Sequence, residues 1–288
     1  MQHNSWLDHS AYPFAPHFMH LPGGRMHYAD EGSGAPIVFV HGTPVWSFVY
    51  RAFITDLSRD HRCIAPDHLG FGLSDKPTSA DYRPEALAGN LAQLLDTLGL
   101  KDMTLVVHDF GGPIGLAYAL EHAEHVRRLV IMNTWMWPLD DDPQIARMSR
   151  LLSGRLGRYL YTRANISPRQ LYPLMFGDKT KFDKNVQQQY VKATSRPEER
   201  MAMWTLAREL VNSTDWYAQL WSKREHLASI PTLLLWGMKD AAFPPKHLTR
   251  WRAALPHAQV VSFPESGHFV QEEMPDKAIN AIRSFLET

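Results

Sequence analysis

Short apolar runs alternate with longer amphipathic stretches along most of this chain. Pro36-Ile-Val-Phe-Val40 is continuously apolar, as a strand buried on both faces of a sheet must be. Arg62 to Ala65, Leu105 to Val107, Arg128 to Met132, Ile230 to Trp236 and Gln259 to Phe263 read as further strands. Helical patterns lie between them, at Ser47 to Leu57, Pro84 to Leu98, Pro245 to Leu255 and Pro275 to Leu286. In the second of these, Leu87, Leu91, Leu94, Leu95 and Leu98 recur at helical spacing, and Gly99 supplies a stop. Two short runs around Pro22-Gly23-Gly24, within Phe18 to Tyr28, predict a β-hairpin ahead of the first buried strand. Strands and helices in alternation define an α/β fold with a doubly wound, mostly parallel sheet. In such sheets ligands sit outside the carboxyl ends of the strands.

The alternation breaks after Met132. Residues 138–224 hold no buried-strand pattern. They hold helical patterns at Ile145 to Leu160, Gln187 to Thr194 and Pro197 to Val211, interrupted by Pro168, Pro173, Gly177 and Pro197. Aromatic residues and methionines are dense there. The pattern predicts a helical insertion at 138–224 between two parts of one α/β core, 1–137 and 225–288.

Three polar residues follow predicted strands. Thr104-Leu-Val-Val-His-Asp109-Phe110-Gly111-Gly112 reads as strand, tight turn and helix, with Asp109 at the tip. That is the layout of a nucleophile elbow, whose crowded turn calls for small neighbours. Asp240 follows Ile230 to Trp236, and His268 follows Gln259 to Phe263. Nucleophile, acid, histidine is the chain order of α/β-hydrolase triads. Each residue also has an ordinary reading: Asp109 as a turn former, Asp240 as a helix cap, His268 as a loop histidine. Their shared position after strands, in that order, favours chemistry.

Two more loops complete the pattern. One is His41-Gly42-Thr43-Pro44 with Trp46-Ser47 and Tyr50-Arg51; the other is Pro66-Asp67-His68-Leu-Gly70-Phe-Gly72-Leu-Ser74-Asp75-Lys-Pro77. With the elbow, the acid loop Leu233-Leu-Leu235-Trp236-Gly-Met-Lys-Asp240 and Gly267-His268, the chain resembles α/β-hydrolases of the Asp-nucleophile branch, most of all haloalkane dehalogenases. The resemblance implies an α/β-hydrolase fold with 138–224 as a helical cap. It implies that Asp109 displaces a leaving group from carbon to form an ester. His268 would then activate the water that hydrolyses it, and Asp240 would orient His268. Backbone N–H groups of Thr43 and Phe110 would form the oxyanion hole. No metal or organic cofactor is implied, and the substrates would be water and a small apolar halogenated or epoxide compound. Asp67, Asp75, His41 and His68 read as structural. Asn133 stands where some dehalogenases carry their acid, which leaves Asp240 for that role.

One departure matters. Dehalogenases typically hold the leaving halide with a Trp directly after the nucleophile, and here that residue is Phe110, which has no side-chain N–H. Thr43 offers one hydroxyl. Trp46, Trp135 and Trp137 are the candidate replacements. Three other functions share the same triad or fold. An epoxide hydrolase would open the ring with cap tyrosines, drawn from Tyr159, Tyr161, Tyr172, Tyr190 and Tyr217. A β-lactone decarboxylase and a hydrolase-like binding protein are the others.

Composition narrows the setting. Formal net charge is zero over 288 residues, so no basic or acidic face points to nucleic acid or an anionic membrane. The fifteen histidines, including His3, His9, His17 and His20 near the start, form no metal-site pattern. A single cysteine, Cys63, excludes an intrachain disulfide and reads as a buried structural thiol. The polar start lacks a signal-peptide pattern, and no apolar run nears the roughly 20 residues of a membrane helix. A cytoplasmic protein is expected, of unspecified oligomeric state.

Overall fold

The computed structural model describes residues 5–288, the side chain of Gln144 excepted; His3 lies outside the described residues. One sheet of eight strands organises the chain, in the spatial order β1-β2-β4-β3-β5-β6-β7-β8. The strands are β1 (His17–Leu21), β2 (Gly24–Glu31), β3 (Pro36–Val40), β4 (Arg62–Pro66), β5 (Met103–His108), β6 (Val126–Met132), β7 (Thr232–Gly237) and β8 (Gln259–Phe263). The β1–β2 hairpin turns at Pro22-Gly23, and β2 runs antiparallel to both its neighbours. From β4 to β8 every pairing is parallel.

Helices cover both faces. They are α1 (Arg51–Leu57), α2 (Pro84–Thr97), α3 (Gly111–Glu121), α10 (Pro245–Ala254), α11 (Val270–Glu273) and α12 (Pro275–Leu286). The central strands are apolar on both sides because helices bury both sides. Every residue of β5 and β7 is buried, whereas β8 at the sheet's end exposes most of its residues. On α2 the inward stripe is Leu87, Leu91, Leu94 and Leu95, and Gly99 follows the helix at φ 61°, where a Cβ would be strained. Ser47 to Leu57 is not one helix. It opens as a 3-10 turn at Ser47–Tyr50 and becomes α-helical at Arg51.

Among the described residues no strand intervenes between β6 and β7. That segment folds as α4 (Pro143–Ser153), α5 (Arg155–Thr162), α6 (Tyr172–Leu174), α7 (Lys184–Lys192), α8 (Met201–Asn212) and α9 (Thr214–Ser222). The expected single helix over Ile145 to Leu160 is divided at Gly154, which adopts an extended conformation between α4 and α5. The stretch predicted from Pro197 begins as a 3-10 turn with Glu199 bonded back to the Arg196 N–H, and continues as α8. No helix among the described residues is long and apolar enough to cross a membrane. Cys63 is buried, and burial pushes its thiol up to about 12.

The loop after β4 is pinned by a buried carboxylate. Asp67 accepts the N–H groups of Ser47 and Leu73, each at 2.8 Å, and pairs with His27 Nδ1 at 2.9 Å. Burial alone would raise its pKa, but His27 and these donors hold it below the ordinary carboxylate value. Asp75 pairs with Arg25 on the adjoining hairpin. Asp67→Ala leaves three donors buried without an acceptor. It is expected to cost about 3 kcal/mol or more, seen as a lower urea midpoint with an unchanged slope; a loss under about 1 kcal/mol contradicts the pinning role.

Candidate active site

Asp109 sits between β5 and α3 at φ 52°, a left-handed conformation that few non-glycine residues adopt. The turn is over-determined. Gly112 N–H donates to the Asp109 carbonyl at 2.9 Å, the Thr134 hydroxyl donates to the same carbonyl, and Asp109 N–H donates to Asn133 O at 3.3 Å. The elbow therefore rests on the segment that follows β6. On its other side lies the loop after β3. A Cβ on Gly42 would come within 2.1 Å of Asp109 Oδ1, so only glycine lets that loop approach so closely.

The two carboxylate oxygens of Asp109 have different surroundings. Oδ1 accepts the Thr43 N–H at 2.7 Å, and the Phe110 N–H also bonds the carboxylate. Oδ2 faces His268 Nε2 at 3.6 Å, too far for a direct hydrogen bond. On the other edge of the ring, His268 Nδ1 meets Asp240 Oδ2 at 2.8 Å. Asp240 Oδ1 accepts the Ala242 N–H at 2.7 Å. Asp109, Asp240 and His268 are all buried. The structure thus brings together five residues that the sequence singles out: Asp109, Asp240, His268, Thr43 and Phe110.

Electrostatics sets the charges. Burial raises the Asp109 carboxyl above its ordinary value, opposed by His268 and by the Phe110 and Thr43 N–H groups. Burial would raise Asp240 too, but the charge and hydrogen bond of His268 and the N–H groups of Phe243 and Ala242 bring it below the ordinary value. Burial disfavours a charged His268, but Asp240 and then Asp109 outweigh it and raise its pKa. A buried acid and base so arranged can bear a negative charge at Oδ2 and a proton acceptor beside it.

Three neighbours support these residues: Asn133 and His41, both marked in the sequence, and His108, which carries no signal of its own there. Asn133 lies at φ 31°, and its Nδ2 donates to Asp240 Oδ2 at 2.8 Å, while its Oδ1 accepts the Gly237 N–H at 2.8 Å. It holds the Asp240 carboxylate from the position directly after β6. His108 Nε2 donates to the His268 carbonyl at 2.9 Å, and burial keeps its pKa well below the ordinary value. His41 donates from Nδ1 to Gly42 O at 2.7 Å and accepts the His68 N–H on Nε2 at 3.0 Å, which fixes its tautomer and the shape of the first loop.

The three candidate indoles part company. Trp46 packs among Trp6, Tyr12 and Phe48. Trp137 packs against Trp221, Trp251 and His247 and lines a cleft of about 620 Å³ with Lys246 and Arg250. Trp135 stands edge-on to Phe110 at 4.8 Å between ring centres, and stacks on Phe243, which neighbours His268. Trp236 and Trp251 donate their N–H groups to backbone carbonyls, but the buried Trp46 and Trp135 N–H groups have no acceptor among the described residues, and of these two Trp135 is the one that packs on Phe110. The five tyrosines also separate. Tyr159 is 60% exposed, and Tyr172 and Tyr190 gather around Arg51 and Glu272. Tyr161 and Tyr217 are within electrostatic reach of Asp109, and Tyr217 donates its hydroxyl to Glu209 O.

A possible metal cluster lies apart from these residues. His122, Glu124 and His125 bring ligand atoms within 4.8 Å of one another beyond the end of α3. The two imidazoles are stacked 5° from parallel, so their in-plane lone pairs do not converge on one ion.

An eight-stranded sheet in this order, with a nucleophile elbow after β5 and an Asp–His pair after β7 and β8, is the architecture of an α/β hydrolase. The family model described as alpha/beta hydrolase fold matches residues 35–275, and the chain belongs to that family. More narrowly, it is a haloalkane-dehalogenase-like hydrolase. It is 37% identical over 279 residues to haloalkane dehalogenase 2 of Mycobacterium tuberculosis, covering 96% of each chain. It is 35% identical over 282 residues to cis-3-alkyl-4-alkyloxetan-2-one decarboxylase of Shewanella oneidensis, covering 95% of this chain and 89% of that one. Its fold matches the crystal structure of haloalkane dehalogenase DatA from Agrobacterium tumefaciens with a TM-score of 0.86 and 25% identity, over 97% of this chain and 99% of that one.

The charge balance gives a direct prediction. Asp109→Asn removes one of the negative charges that raise His268, so the His268 midpoint followed by NMR moves down. An unchanged or higher midpoint contradicts the coupling.

Proposed function

We propose that the protein hydrolyses haloalkanes through an ester on Asp109. The observation that carries this is the division of labour between the Asp109 oxygens: Oδ1 is held by the Thr43 N–H at 2.7 Å, and Oδ2 is left free 3.6 Å from His268 Nε2. A serine at this tip would need a base before it could attack, whereas a carboxylate attacks once ionised. Oδ2 attacks the carbon bearing the halogen, and the halide leaves with the bonding electron pair. His268 then takes a proton from a water that attacks the Asp109 carboxyl carbon. Thr43 and Phe110 N–H groups hold the oxyanion on Oδ1, an arrangement in which each donor is worth about 3–4 kcal/mol. Collapse restores the Asp109 carboxylate and releases an alcohol; the net products are alcohol, halide and one proton.

Esterification itself prepares the second step. It neutralises Asp109, one of the charges that raise His268, so more of the imidazole is in the neutral form that a base requires. The Trp135 N–H is the donor we assign to the leaving halide in place of the missing indole after the nucleophile. Residues 138–224 act as a cap that excludes bulk water from the ester.

A second reading is favoured by two observations together. One is the similarity to the oxetan-2-one decarboxylase, and the other is Phe110, which offers the leaving group no N–H. A β-lactone of that kind would give an alkene and carbon dioxide. Epoxide opening by a pair of tyrosines is less well supported: of the two cap tyrosines within electrostatic reach of Asp109, Tyr161 and Tyr217, the second already donates its hydroxyl to Glu209 O.

A substrate panel separates these readings. Haloalkanes are expected to release halide, and His268→Phe is expected to retain an alkyl adduct on Asp109 detectable by mass spectrometry. Trp135→Phe should slow halide release about 10–100-fold, the worth of one hydrogen bond to a developing anion. Alkene formation from a cis-dialkyl oxetan-2-one, without halide release, moves the assignment to the decarboxylase. No adduct on Asp109 with any compound that turns over contradicts the ester route.

A further inference from the structure

The loop that carries His268 does not stand alone; the helical insert sits on it. The His268 N–H donates to the carbonyl of Met175, a residue just past α6, at 2.9 Å. Gly177 is pressed so closely against the loop that a Cβ there would lie 2.5 Å from both Glu265 O and Gly267 N. One buried side chain bridges the two segments. Glu273, on α11 and 2% exposed, accepts the Gly267 N–H on Oε1 at 2.7 Å and the Asp178 N–H on Oε2 at 2.8 Å. Ser266 adds a longer hydroxyl bond to Oε1 at 3.3 Å.

A buried carboxylate is costly unless it is answered. Glu273 is answered by backbone N–H groups from two different parts of the chain. Lys239 is paired instead with Glu265. Each oxygen serves one side, so the carboxylate is satisfied only when the insert and the loop are in contact. Helix α11 is four residues long and begins two residues after His268, so a displacement of Glu273 is passed along a short, helical connection to the histidine.

We infer that Glu273 is a positioning residue that ties the docking of the cap to the placement of His268, so that hydrolysis of the Asp109 ester depends on a seated cap while its formation does not. The inference rests on the ester route proposed above. Formation needs only Asp109 and a leaving-group donor, and neither touches Glu273 in the contacts described. Hydrolysis needs His268 at one particular place, 3.6 Å from Asp109 Oδ2 and bonded to Asp240. With the insert seated, Glu273 holds the loop that keeps the base in that place.

Glu273→Gln tests this with little change in volume. The amide can accept one of the two N–H groups but must turn its NH₂ toward the other. With 1-bromohexane as probe, rapid quench and mass spectrometry of the intact protein follow both steps. The expected result is an ester that forms at nearly the wild-type rate and decays about tenfold or more slowly, so that the Asp109 adduct accumulates. Gly177→Ala, which forces the insert off the loop and so draws the Asp178 N–H away from Glu273 while keeping its carboxylate, should give the same signature. It also keeps the test open if Glu273→Gln does not fold. Equal slowing of both steps, or no accumulation in either variant, overturns the coupling. An adduct in His268→Phe together with unchanged partitioning in these two variants overturns only the coupling. Absence of an adduct in all three overturns the ester route as well.

Discussion

A carboxylate buried as deeply as Asp109 keeps a charge only where the protein answers it. Here the answers come from separate places in the chain: the Thr43 N–H from the loop after β3, the Phe110 N–H from the elbow itself, and His268 from the loop after β8. Burial pushes the carboxyl toward its neutral form, and these groups pull it back. The elbow's left-handed turn has no other purpose evident in the packing, and it is held by Gly112, Thr134 and Asn133 acting on its backbone. The parallel register of β3, β5, β6 and β7 places these loops side by side at one end of the sheet. Altering any of these strands' positions would move a donor away from the charge it stabilises.

The same constraint shapes the second half of the site. His268 meets Asp240 on one edge at 2.8 Å and faces Asp109 across 3.6 Å on the other. Asp240 is in turn fixed by Asn133 and the Ala242 N–H. Asn133, directly after β6, and Ala242, in the loop after β7, thus act on one carboxylate. Such supporting contacts commonly decide whether the groups that react are correctly placed.

Much of the fold was legible because burial on both faces leaves a plain mark: β3 and the strand core from Leu105 to Val107 could be read as continuous apolar runs. The meeting of Asp109, Asp240 and His268 was legible because each follows a strand and the order of the three is informative. Other features left no mark. Gly154 splits a helical pattern only because the chain extends there between α4 and α5, and periodicity does not register a single extended residue. Trp46, Trp135 and Trp137 are alike as letters; only tertiary packing puts Trp135 beside Phe110 and the other two in separate clusters. Glu273 was invisible for the same reason. Its partners, Asp178 and Gly267, lie in segments whose contact no local pattern announces.

In the ester route proposed here, water attacks the carboxyl carbon of Asp109 and not the substrate. A single turnover in ¹⁸O-labelled water, with enzyme in excess over a bromoalkane, separates the two. The first alcohol released is expected to carry the ordinary oxygen from Asp109, and the peptide containing Asp109 to gain the heavy isotope. Heavy oxygen in that first alcohol, with an unlabelled Asp109, would contradict it.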